Sequence, residues 1–121
     1  MQVAGRVAEV VSGQDWESFF VSSLSTPLGL TSIDYQGLGP TTNPRIAGGA
    51  QSNLRDYARI LQTLLRAGEI DGVRVLSEQG VADMFVDQAA GLPVRSTPPG
   101  SEDWGYAFGG DRKSTRLNSS H

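Results

Sequence analysis

Apolar residues recur at helical spacing most clearly in residues 52–66, where Leu54, Tyr57, Ala58, Leu61, Leu64 and Leu65 fall on one stripe and Arg55, Arg59, Gln62 and Arg66 face away. Ser52 is the expected N-cap of this helix and Gly68 its stop. Residues 2–11 repeat the pattern with Val3, Val7 and Val10 on one face and Gly13 as the stop, but no capping residue precedes them. Asp15 is placed to cap a further helix with a heavy stripe of Trp16, Phe19, Phe20 and Leu24, which Pro27 is expected to end. The following Pro27-Leu28-Gly29-Leu30 reads as a tight apolar turn that pins the helix end to a core. Ser77 caps a fourth helix, which directs Val81, Met84 and Phe85 inward.

Between these helices, residues 31–51 are rich in Gly, Thr, Asn and Pro and read as one long irregular loop centred on Asn43-Pro44-Arg45-Ile46-Ala47-Gly48-Gly49. Loops longer than about 12 to 15 residues inside a domain are commonly functional or disordered, so this segment is the expected cleft wall. Its candidate cleft-lining residues are Asn43, Arg45, Gly48 and Gly49. Each has a plainer role: the glycines supply turn geometry, the favoured reading, and Asn43 and Arg45 satisfy exposed loop backbone. Ile70-Asp71-Gly72-Val73 carries an Asp-Gly turn signal, with Arg74-Val75-Leu76 following as a short strand or extended link. After a Gly/Pro/Ser-rich loop at residues 90–103, Trp104-Gly105-Tyr106-Ala107-Phe108 alternates as a strand does. Its ladder partner is expected from sequence outside the chain, since no second strand is evident nearby.

Residues 111–121, DRKSTRLNSSH, match codon by codon one reading frame of a common sequencing adapter, so they are read as a non-native tail. The native part is then residues 1–110, a partial domain truncated at both ends. The reading matters chemically because the chain's one Lys, Lys113, and one His, His121, both fall in the tail. Residues 1–110 hold seven dispersed arginines against twelve carboxylates and no Cys. A nucleic-acid partner is not expected without a basic face. Thiolate catalysis and disulfides are excluded, and a zinc site would need carboxylates alone. No run approaches the roughly 18 apolar residues of a membrane span, and Met1 does not open a signal-type segment. No cofactor, metal or catalytic residue is assigned within the chain.

The ordered series Val3-Ala4-Gly5-Arg6-Val7-Ala8-Glu9-Val10-Val11-Ser12-Gly13, Trp16-Glu17-Ser18-Phe19-Phe20, Pro27-Leu28-Gly29-Leu30-Thr31-Ser32, Ala47-Gly48-Gly49, Ser52-Asn53-Leu54-Arg55-Asp56-Tyr57-Ala58, Gly68-Glu69-Ile70-Asp71-Gly72 and Trp104-Gly105-Tyr106-Ala107-Phe108 resembles the serine β-lactamase and penicillin-binding-protein-like hydrolases. The branch is that of class C β-lactamases, related esterases, D-aminopeptidases and DD-carboxypeptidases. The resemblance implies an α+β fold, of which this chain is a mostly helical fragment ending in one strand of the family's antiparallel sheet. It also implies a small-molecule acyl substrate in the full-length protein and a periplasmic, envelope or secreted location, a cytoplasmic one being left open.

Catalysis in this family uses a nucleophilic Ser in Ser-x-x-Lys, a Tyr in Tyr-x-Asn and a Lys/His-x-Gly strand motif, which converge on the acyl group. None is present here. By family spacing Tyr-x-Asn ends just before Met1, Ser-x-x-Lys lies further upstream, and the strand motif follows Gly110. Lys113-Ser114-Thr115 mimics the third motif but belongs to the tail, as does the Asn118-Ser119-Ser120 glycosylation pattern. The segment from Gly105 to Ser114 lacks phosphate-loop spacing. Tyr57 and Tyr106 are read as packing residues, Tyr35 lacks an Asn partner, and Glu102-Asp103 is read as a solvated acidic pair. The resemblance favours an inactive fragment of a serine hydrolase that needs the missing parts of its own domain to fold. The alternative is a non-catalytic helical interaction module whose stripes around Trp16, Phe19, Leu61 and Phe85 close on each other or on a partner.

Overall fold

The computed structural model describes residues 1–93, 95–97, 99, 100, 104–107 and 110–113. They form two units, residues 1–76 and residues 77–121.

In the first unit, α1 spans Gln2–Ser12 and stops at Gly13, whose positive φ provides the left-handed cap. Its first turn has no side-chain cap, as the sequence predicts. The Glu9 carboxylate joins α1 to the next helix by accepting from the Trp16 amide at 2.9 Å while pairing with Arg6 at 2.9 Å. Helix α2, Trp16–Phe20, is capped by Asp15, which accepts from the Ser18 amide.

Pro27 does not end this helical run. The chain passes through a π turn at Val21–Ser25 into α3, Thr26–Leu28, with Pro27 in its first turn, and stops at Gly29. Proline lacks the N–H that an α-helical interior needs, but the widened turn removes that need. The Thr26 amide reaches back five residues to the Val21 carbonyl, and the Leu30 amide does the same to Ser25 at 2.8 Å. Leu28 and Leu30 are thereby delivered to a core with Ile70, flanked by Leu24, Ile33, Ile60 and Val75.

Helix α4 spans Leu54–Leu65 and is capped by Asn53, not Ser52; the Asn53 side chain accepts from the Asp56 amide at 2.8 Å. Its buried face also differs from the expected stripe. Asp56 and Thr63 are buried and Arg59 and Ile60 half-buried, whereas Leu54 and Leu65 are 83% and 86% exposed and Tyr57 and Leu61 also face solvent. The physical reason is a set of polar anchors. One Asp56 oxygen, Oδ2, accepts from the amides of Thr31 and Ser32, both at 2.7 Å, and from the Ser32 hydroxyl at 2.9 Å. Arg59 donates to the Leu28 carbonyl at 2.7 Å and pairs with Asp71 at 3.0 Å.

After α4, Gly68 turns the chain where a Cβ would collide with the Leu76 carbonyl. Strands β1, Glu69–Ile70, and β2, Val73–Arg74, then pair antiparallel with Ile70 opposite Val73. Both residues of the intervening Asp71-Gly72 turn have positive φ, the conformation that matches strand twist.

In the second unit, α5 spans Glu78–Phe85 with Ser77 accepting from the Gly80 amide at 2.9 Å. Val81 is buried and Met84 half-buried, but Phe85, expected inward, is exposed. The terminal strand does have a partner within the chain: β3, Trp104–Ala107, pairs antiparallel with β4, Gly110–Lys113. Such a ladder uses main-chain groups, so it satisfies the strand's N–H and C=O groups without regard to which side chains follow. Tyr106 also donates its amide to Asp87 at 3.1 Å and accepts at its carbonyl from Gln88 at 2.8 Å. Glu102-Asp103, Phe108 and residues 114–121 lie outside the described residues.

Candidate functional site

The long loop is closed at its base by a two-way bridge, in which the Asp34 amide donates to Gln51 at 3.1 Å and the Gln51 amide returns to Asp34 at 2.8 Å. Loops with closed ends hold their side chains in place without regular secondary structure. Gln2, at the start of α1, clasps the middle of the loop. Its amide nitrogen donates to Asn43 Oδ1 and to the Pro44 carbonyl, both at 2.7 Å, and its oxygen accepts from the Ile46 amide at 3.2 Å. Ile46 then packs over Gly5, the buried glycine of α1, so closely that a Cβ there would lie 2.5 Å from Ile46 Cγ1.

The glycine pair completes the turn. Gly48 has φ near 89°, and the Gly49 amide donates to the Arg45 carbonyl at 2.8 Å, with no room for a Cβ on Gly49 against that same carbonyl. Turn geometry therefore accounts for both residues.

A cavity of about 200 Å³ opens within this loop, lined by Tyr35, Pro40, Thr41, Asn43, Arg45 and Gly49 among others. Three of the four candidate residues, Asn43, Arg45 and Gly49, thus share one cavity wall, while Gly48 acts from the turn behind it. Tyr35, set aside in the sequence for want of an Asn partner, is on the same wall. Its ring sits edge-on to Trp16 and Phe20, with centroids 5.4 and 5.2 Å away. Burial, and then the nearby charge of Glu17, push its phenol above the ordinary tyrosine range. It keeps its proton at neutral pH and is a hydrogen-bond donor, not a base.

The other tyrosines are not assembled with it. Tyr57 and Tyr106 are both exposed, so neither plays the packing role expected of it within this chain. No cluster of His, Cys, Asp and Glu suited to a metal occurs among the described residues, and no helix there is long and apolar enough to cross a membrane.

Asp56 anchors residues that lead into the loop. Burial acts to raise its carboxyl, but the Thr31 and Ser32 amides, the Ser32 hydroxyl and the neighbouring Arg55 outweigh it, so the group is held below the usual carboxylate range. The charged carboxylate ties the start of the loop to the first turn of α4, where the helix dipole also favours it.

No protein-family model and no curated protein matches the chain. It is similar to the crystal structure of a putative beta-lactamase from Bacteroides dorei, with 29% sequence identity and a TM-score of 0.67 over 85% of this chain and 31% of that one. The chain spans about a third of the length of that structure. The likeness supports a β-lactamase-like fold, with which the helices and small antiparallel sheets described above are compatible.

Proposed function

We propose that this chain is part of a β-lactamase-related serine hydrolase, one that cleaves an ester, amide or β-lactam through an acyl-enzyme, and that it is inactive by itself. The observation that carries the reading is the similarity to the B. dorei structure over most of this chain and a minor share of that one. In this reading the nucleophilic Ser and its proton-transfer partners belong to segments outside residues 1–110. Residues 34–51 form a wall of the substrate cleft, held against α1 by Gln2. The exposed valines of α1 and the Leu54, Tyr57, Leu61 and Leu65 face of α4 are seats for the remainder of the same domain, since contiguous apolar surface on a soluble protein marks an interaction face.

Covalent labelling tests this. An intact-mass experiment with a fluorophosphonate or a β-lactam is expected to give no adduct on the 121-residue chain, and one adduct per molecule on the product of the complete reading frame. Stoichiometric labelling of a serine within residues 1–110 would contradict the assignment, because those residues hold no Lys to complete a Ser-x-x-Lys.

A further inference from the structure

The turn between β1 and β2 sets an exposed carboxyl next to an open main-chain nitrogen. Asp71 is the one Asp or Asn of the chain that is followed by Gly, and its side chain is 63% exposed. The Gly72 amide makes no hydrogen bond among the described residues. Nothing lies within 4 Å of the place where a Cβ on Gly72 would stand, so the nitrogen has no steric shield. Asp71 holds φ at 52°, a left-handed conformation uncommon for a residue with a Cβ. One contact restrains its carboxyl. Arg59 Nη2 donates to Asp71 Oδ2 at 3.0 Å, while Nε of the same guanidinium holds the Leu28 carbonyl at 2.7 Å.

We infer that Asp71-Gly72 is a site of spontaneous covalent modification, where the chain isomerises to an L-isoaspartyl link, and that Arg59 is the residue that restrains it. The Gly72 nitrogen attacks Asp71 Cγ. The N–Cγ bond forms, and the amide proton and the carboxyl hydroxyl leave as water, giving a five-membered imide. Water then adds at the Asp71 main-chain carbonyl and breaks its bond to the Gly72 nitrogen, so the chain runs on through the former side chain. The water lost is regained, the mass is unchanged, and no oxidant, reductant or cofactor is consumed. A carboxylate held by Arg59 cannot begin this sequence, because its leaving oxygen needs a proton that a guanidinium does not give up. In the product an extra methylene stands at the centre of a ladder only two pairs long, Glu69 with Arg74 and Ile70 with Val73. The remaining carboxylate is bonded directly to Cα, one bond shorter than before, and withdraws from Arg59. Isomerisation therefore loosens the hairpin and its tie to α4 together.

Ageing the 121-residue chain in mildly acidic buffer tests the inference, with a synthetic peptide of residues 67–74 as the unrestrained reference. Trypsin cleaves after Arg66 and Arg74 and recovers that same segment from the aged chain. The expected product is a second form of the peptide, equal in mass, resistant to a protease that cuts before Asp, and methylated by an L-isoaspartyl methyltransferase with S-adenosylmethionine. It is expected to form more slowly in the folded chain than in the peptide. Arg59→Met should speed it about fivefold, the change in population when one hydrogen bond is lost. Thr63→Val removes a buried hydrogen bond of the same helix but leaves Arg59 on Asp71, so the parent rate is expected there. Asp71→Glu, which would need a six-membered imide, should abolish the product. A chain still unmodified in residues 67–74 when the peptide has fully converted, or methylation that persists there in Asp71→Glu, would overturn the site. Equal acceleration in Arg59→Met and Thr63→Val, or none in Arg59→Met, would overturn the part given to Arg59.

Discussion

Asp56 concentrates the consequences of a single residue. Its carboxylate gathers three donors from Thr31 and Ser32 in a buried position and is held below its ordinary range. A carboxyl whose folded value is depressed adds stability above its unfolded value of about 3.9, and that stability is lost as pH falls through the lower folded value. Glu9, held down by its Arg6 hydrogen bond and then the Trp16 amide, acts in the same sense, as does Asp15 through Ser18. The urea midpoint followed by tryptophan fluorescence is therefore expected to be flat near neutrality and to drop below about pH 4. Asp56→Asn should lower the neutral plateau and shallow the acid drop without abolishing it. An acid limb identical to the parent's would contradict the role given to Asp56. Gly5 is the second residue on which much depends, because Ile46 occupies the space a side chain would need. Gly5→Ala is expected to cost about 1–3 kcal/mol through overpacking, and Ile46→Ala in the same chain, which removes the Cγ1 that a Cβ would meet, should recover part of it. Additive losses in the two variants would show that Ile46 does not seat on Gly5.

Among the elements, α4 shows most sharply what sequence periodicity can and cannot convey. Its existence and extent were legible from the leucine spacing and the Gly68 stop, but its inward face was not. Asp56, Arg59, Ile60 and Thr63 themselves stand at i, i+3, i+4 and i+7. Three of those four are polar, and what buries them is hydrogen bonding to segments 24 to 31 residues away for Asp56 and Arg59, which hydrophobic spacing does not register. The α2 to α3 run is a similar case: Pro27 is a true break in α-helical bonding, but a π turn absorbs it and the stop moves to Gly29. The loop was legible as a loop because its length and composition deny it a core. The cavity itself was not, since it depends on Gln2 reaching Asn43 across 41 residues. The Asp71-Gly72 turn was legible from local chemistry, but the strand after it is Val73–Arg74, not residues 74–76. A direct check on the α4 assignment compares two leucines. Leu65→Ser, on the exposed face, should change stability by no more than about 0.5 kcal/mol, while Leu28→Ala, at a side chain 1% exposed, should cost about 2–5 kcal/mol. Leu65→Ser should also reduce self-association in sedimentation. Comparable losses at both sites would mean that the leucine stripe is buried after all.

For the whole molecule, the described residues present two exposed apolar helix faces and one loop-bound cavity, and residues 1–110 hold no Lys or His. A small core of Leu28, Leu30 and Ile70 supports the first unit, and its outer valines and leucines remain open to solvent. Under the proposed function that open apolar surface seats the rest of the domain, whereas a free-standing module would close its stripes, and Leu61 and Phe85 are each exposed. The central claim concerns what adjoins residues 1–110 in the source gene, and continuous sequencing of that locus through both ends of the frame tests it most directly. The account predicts Ser-x-x-Lys and Tyr-x-Asn codons upstream of Met1, with a Lys/His-x-Gly strand in place of residues 111–121. An initiation site at Met1, or a native frame that reads through residues 111–121 as they stand, without these motifs on either side, would contradict it.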